Sequence, residues 1–144
     1  MIVAVDTNVL LDILIPGAPD QAASRKLLET ALTGGPLVVC EAVYAELGVR
    51  FADRALLDRF LGEVGIGLLP STADALKAAA EAHGRYLARR PAVRCPSCKA
   101  RLPGRARILA DFMIGGHALE QADALLSRDR GFYRKYFRSL RMLK

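Results

Sequence analysis

The sequence predicts a single α/β domain, residues 1–144, with a mainly parallel central sheet flanked by helices. Short apolar runs recur at IVAV (2–5), LVVC (37–40), GLLP (67–70) and ALLS (124–127). Stretches with apolar residues at helical spacing separate them, and strands alternating with helices imply parallel pairing. The chain has 144 residues, 52% hydrophobic and 25% charged, which is enough for one core without staples and excludes disorder.

The first run is a buried strand ending at Asp6, with Thr7 or Asn8 capping a helix over VLLDILI that Pro16-Gly17 stops. Leu27, Leu28, Ala31 and Leu32 share one face of a second helix, closed by Gly34-Gly35-Pro36. After LVVC, a helix over EAVYAELGVRF sets Val43, Leu47 and Phe51 at four-residue steps, and ALLDRFLGEV is another amphipathic helix. Beyond GLLP, a helix runs from about Ser71 to Arg89. Residues 90–105 hold three prolines, two cysteines and several arginines and are expected to be a basic loop. ILADFMIGGHALEQ returns to helix, ALLS ends near Asp129, and LRML is a further short strand candidate.

No apolar run reaches the length of a membrane span, so no membrane partner is expected. The start lacks the pattern of a secretory signal, and three cysteines fit a reducing compartment; a cytoplasmic location is expected. Charge is divided unevenly. Residues 1–82 carry six basic and eleven acidic side chains (−5), residues 83–144 fifteen and four (+11), for the overall +6. That asymmetry points to a polyanion-facing side in the C-terminal part. Arg85 to Arg107 contains eight basic residues and no acid, which makes Arg101, Arg105 and Arg107 candidates for phosphate contact. Arg130 and Arg134 join them, interleaved with Tyr133, Tyr136 and Phe137, which either stack bases or pack on the sheet; packing is favoured.

Four acids fall where chemistry is expected. Asp6 and Asp129 follow strands, Glu46 lies on the helix after the second strand, and Asp111 opens the helix 108–121. Ligands of open parallel sheets bind outside the carboxyl ends of the strands. Clustered carboxylates repel unless a cation neutralises them, and hard oxygen ligands suit Mg2+ or Mn2+. Such ions activate water and stabilise in-line phosphoryl displacement. Asp12 and Asp123 are read as surface charges or helix partners, Asp123 being the better supporting acid. Gly115-Gly116 implies a close approach, by the first strand or by an RNA backbone, and His117 is read as packed.

With VDTNVLLD, AELGVRF, ADFMIGGHA and SRDRGFYRKYF in order, the chain resembles PIN-domain ribonucleases, and among them toxins of the VapBC type. The resemblance implies a PIN-like fold and a Mg2+- or Mn2+-dependent endoribonuclease acting on RNA. It carries over Asp6, Glu46, Asp111 and Asp129 as metal-site acids, with Asn8 and Ser127 supporting them by hydrogen bonds. It also implies a cognate antitoxin protein, for which the helix faces near 22–32 and 54–64 are candidate receivers. The rival readings are an RNA-binding module of the same fold without catalysis and a haloacid-dehalogenase-like phosphatase. The latter needs Asp-x-Asp, and Asn8 occupies the second position.

Cys95-Pro-Ser-Cys98 is half of a structural Zn2+ site, and the chain holds no second C-x2-C. Free thiols are the default expectation; a homodimer would complete a four-cysteine zinc site.

Overall fold

The computed structural model describes residues 1–89, 93–102 and 108–143. Four strands, β1 (Val3–Val5), β2 (Leu37–Val39), β3 (Ile66–Leu68) and β6 (Ala124–Leu126), form one parallel sheet in the order β3-β2-β1-β6. Consecutive strand residues face opposite sides, and Val3, Ala4 and Val5 are all buried, as are Ala124, Leu125 and Leu126. Both sheet faces are therefore covered there, which explains why these runs read as unbroken apolar stretches rather than alternating ones. At the β3 edge only Ile66 is buried.

The helices are α1 (Thr7–Leu14), α2 (Gln21–Gly34), α3 (Glu41–Gly48), α4 (Arg54–Val64), α5 (Ala73–Arg89), α6 (Leu109–Gln121) and α7 (Arg130–Tyr136). The chain builds β1, β2 and β3 outward in one direction, then crosses to the far side of β1 for β6. That reversal opens a crevice at the carboxyl ends of β1 and β6.

Two expectations need correction. The basic loop at 90–105 contains a small antiparallel hairpin, β4 (Val93–Arg94) with β5 (Arg101–Leu102), too short to leave a periodic signal. The stretch LRML contributes a single parallel bridge, Leu125 to Met142, alongside β6. Its backbone bonds, Leu125 N–H to Arg141 O (2.8 Å) and Leu143 N–H to Leu125 O (2.9 Å), cover that edge.

The glycine pair is explained by packing, with neither the first strand nor an RNA as its partner. A Cβ on Gly116 would lie 2.3 Å from the Ala75 carbonyl oxygen, on the backbone of α5. One on Gly115 would lie 2.2 Å from the Phe137 ring. His117 is buried in the same helix, as expected.

Candidate active site

The crevice holds a cavity of about 660 Å3 lined by Asp6, Thr7, Asn8, Leu11, Glu46, Val49, Arg50, Asp111, Asp129 and Tyr133. All four acids singled out in the sequence are among these residues, although they come from four separate places in the chain. Asp6 follows β1, and its N–H donates to Leu126 O (3.0 Å), extending the β1–β6 pairing by one residue. Glu46 projects from α3. Asp111 lies in the first turn of α6, where the helix dipole favours a carboxylate. Asp129 is the N-cap of α7 and accepts from the Phe132 N–H (3.3 Å), so it is both turn residue and cavity wall.

Asp6 is held by three side chains. It is 5% exposed, and its Oδ2 accepts from Asn8 Nδ2 (2.7 Å), Ser127 Oγ (2.6 Å) and the Tyr133 hydroxyl (3.1 Å). Ser127 Oγ in turn accepts from Asn8 Nδ2 (3.1 Å) and the Asp129 N–H (3.0 Å), and Asn8 Oδ1 accepts from the Arg128 N–H (3.1 Å). The three side-chain bonds to Asp6 all fall on Oδ2, and the Asn8 backbone also bonds the carboxylate.

Burial raises the Asp6 carboxyl above its ordinary pKa; the bonds from Ser127 and Tyr133 oppose this, and the Asp111 charge adds to it. Burial, together with the charges of Asp6 and Asp111, pushes the Tyr133 hydroxyl well above its usual value, so it stays a donor. A desolvated carboxylate facing further carboxylates is held at a cost, and a cation offsets that cost. The donors are all hard oxygens, which fits Mg2+ or Mn2+. Among the described residues, no group of three or more His, Cys, Asp or Glu side chains forms a ready metal cage. The four carboxylates share a cavity without converging on one point.

Two positioning residues had no clear signal in the sequence. The Thr7 hydroxyl donates to Glu46 Oε2 and fixes that carboxylate; nothing local to Asp-Thr-Asn announces a partner on α3. Tyr133, favoured above as a packed aromatic, is indeed buried, but its hydroxyl reaches Asp6. Arg50 lines the cavity and was also missed; it is one of only six basic residues in the acidic first part of the chain. Arg130 and Arg134 lie on α7 outside the cavity lining. Arg101 lies on β5, and Arg105 and Arg107 lie outside the described residues.

The two other acids have structural roles. Asp12 is buried, not a surface charge. It pairs with Arg128 through Nε–Oδ2 (2.6 Å) and Nη2–Oδ1 (3.0 Å) and accepts from Ser24 Oγ (2.5 Å). Arg128 also reaches Asp20 (2.8 Å), tying the turn after β6 to α1 and α2. Asp123 accepts from the Ile2 N–H (2.6 Å) at the opposite end of the strands, far from a supporting role.

A family model described as PIN domain matches residues 3–138. No curated protein matches the chain. Among solved structures, VapBC2 from Rickettsia felis, bound to a promoter DNA fragment, superposes with a TM-score of 0.64 at 18% identity over 99% of this chain and 98% of that one. VapBC-1 from nontypeable Haemophilus influenzae gives 0.65 at 16%, over 100% and 98%. FitAcB from Neisseria gonorrhoeae gives 0.56 at 17%, over 99% and 96%. At these identities the likeness is one of fold. Among the described residues, no helix is long and apolar enough to cross a membrane.

Proposed function

The chain belongs to the PIN domain family, and on that premise we propose that it is a metal-dependent endoribonuclease, the toxin of a toxin–antitoxin pair. The observation that carries the reading is the gathering of Asp6, Glu46, Asp111 and Asp129 around one cavity at the sheet's switch point. These four acids would hold Mg2+ or Mn2+, which supplies an activated water and charge stabilisation for phosphodiester cleavage.

The chain's own residues prepare the site. Asn8, Ser127 and Tyr133 hold Asp6 by Oδ2, so Oδ1 keeps one direction. Thr7 does the same for Glu46. Arg50 at the cavity would meet a phosphate, and the basic C-terminal part of the chain, with Arg101, Arg105, Arg107, Arg130 and Arg134 as candidates, would contact the RNA backbone. The fold neighbours are solved as VapBC and FitAcB, which supports a protein partner for this chain as well.

Asp111→Asn should abolish cleavage of RNA in Mg2+ or Mn2+ without unfolding the protein. Undiminished cleavage by the variant, or by the wild type in excess chelator, rejects the metal mechanism. RNA binding without cleavage by the wild type would favour the non-catalytic module. Expression of active protein should arrest growth, and coexpression of a cognate antitoxin should relieve it.

A further inference from the structure

The hairpin between α5 and α6 belongs to neither the sheet nor the acid cavity. β4 and β5 pair Val93 with Leu102 and Arg94 with Arg101, and Cys95 to Ala100 make the turn. Cys95 N–H donates to Ala100 O (2.9 Å), and Lys99 N–H donates back to Cys95 O (3.0 Å). Lys99 has φ 61°, the one positive φ outside glycine among the described residues, and a conformation that L side chains seldom take. The turn is thus folded tightly around its two cysteines. The backbone N–H groups of Cys98 and Ser97 bond the Cys95 sulfur and lower its pKa. Both thiols are reduced, with Cys98 exposed and Cys95 half-buried.

Two thiolates in a C-x2-C turn are half of a closed tetrahedral zinc shell. The chain cannot supply the other half. Its remaining soft ligands are Cys40, His83 and His117. Cys40 is buried at the end of β2, and His117 is buried in α6. His83 stacks on Phe112 (4.8 Å between ring centroids) and Tyr86 (6.3 Å). No acid occurs from residue 82 to residue 110.

We propose that Cys95 and Cys98 of two copies of this chain bind one Zn2+ as a four-thiolate site, joining the chains as a symmetric dimer through their hairpins. A two-fold contact is self-complementary, so one half-site per chain is what such an arrangement needs. Charge favours it. Each copy carries eight basic residues and no acid between Arg85 and Arg107, so two arms brought together repel. Four thiolates around Zn2+ carry a net charge of −2, which offsets part of that repulsion. Soft sulfur selects Zn2+, so this site does not compete with the oxygen-lined cavity for one metal.

The test needs no nuclease assay and stands whether or not the chain cleaves RNA. Full-length protein, purified in reductant without chelator, is analysed for zinc and for mass by native mass spectrometry and sedimentation. The expected result is roughly half an equivalent of zinc per chain, in a dimer carrying one ion. Chelation should give monomer, and added Zn2+ should restore the dimer. Cys95→Ser with Cys98→Ser should lose the zinc and the dimer but keep the circular dichroism spectrum, because neither cysteine belongs to the core. His83→Gln should keep the zinc. Protein that takes up no zinc when it is supplied, one equivalent bound to a monomer, or a dimer that survives in the zinc-free double variant would each overturn the proposal.

Discussion

Tyr133→Phe tests whether the cavity is organised around Asp6. The substitution removes one oxygen and nothing else, so the ring keeps its contacts with Phe132 (4.9 Å between centroids) and Phe137 (6.3 Å). Asp6 Oδ2 loses one of three donors. A hydrogen bond to a charged group contributes about 1.5–3 kcal/mol. At 3.1 Å this one is longer than a typical charge-assisted O–H···O−, which places it near the lower end, about 1.5 kcal/mol. Losing that donor raises the Asp6 pKa further, so a proton competes better with a cation. With a decade per 1.4 kcal/mol, Mn2+ affinity should fall roughly tenfold, within the range of about 10–100-fold usual for residues behind metal ligands. Calorimetric titration of Mn2+ gives the affinity directly, and cleavage rate against Mn2+ gives the functional midpoint. The acid limb of the pH–rate profile should move to higher pH, and saturating Mn2+ should recover most of the rate. An unchanged midpoint together with an unchanged acid limb would refute the positioning role.

Asp6→Asn addresses the same carboxyl without metal. Its raised pKa means the folded chain binds the proton more tightly than the unfolded chain, so its contribution to stability is full below the ordinary carboxylate range and is lost as pH rises through the raised value. In chelator the variant should therefore gain melting temperature over wild type as pH rises towards neutral; a constant difference across pH would contradict this. Gly116→Ala should destabilise, because overpacking against the α5 backbone costs about 1–3 kcal/mol or more and outweighs a helix-propensity gain of about 1 kcal/mol. Gly84→Ala on α5, where an added Cβ meets nothing within 4 Å, should raise the melting temperature instead; thermal denaturation of both separates close packing from propensity.

The strands and helices of the sheet layer were legible because each has a local signature. β1 and β6 are buried on both faces and so read as solid apolar runs, and α2 ends at the Gly34-Gly35-Pro36 that marks its stop. β4 and β5 were not legible, because two-residue strands leave no periodicity and their pairing is fixed by the Cys95–Ala100 turn. The fifth strand was over-read, since LRML is apolar enough for a strand but makes only one bridge. Asp12 carried a signal that was passed over. It lies three residues after Val9 on the buried stripe of α1, where a lone charge needs a partner, and that partner, Arg128, is 116 residues away.

The same distinction separates the acids of the cavity from the groups that hold them. An acid at the end of an apolar strand, or in the first turn of an apolar helix, is conspicuous from its neighbours in sequence. Asp6 and Asp111 were visible for that reason. A hydroxyl has no such local mark, because threonine after a strand caps a helix as readily as it orients a carboxylate, and tyrosine beside arginines packs as readily as it stacks. What gives Thr7 and Tyr133 their roles is distance in space: Glu46 is 39 residues from Thr7, and Asp6 is 127 residues from Tyr133. Those contacts exist only because the chain, after laying β1, β2 and β3 outward, returns to the opposite side of β1. The crossover sets β6, Ser127 and α7 against the end of β1, and Asp6 acquires two of its three side-chain donors there, Ser127 and Tyr133. The carboxylates could thus be found residue by residue, whereas the network that aims them is a property of the sheet order.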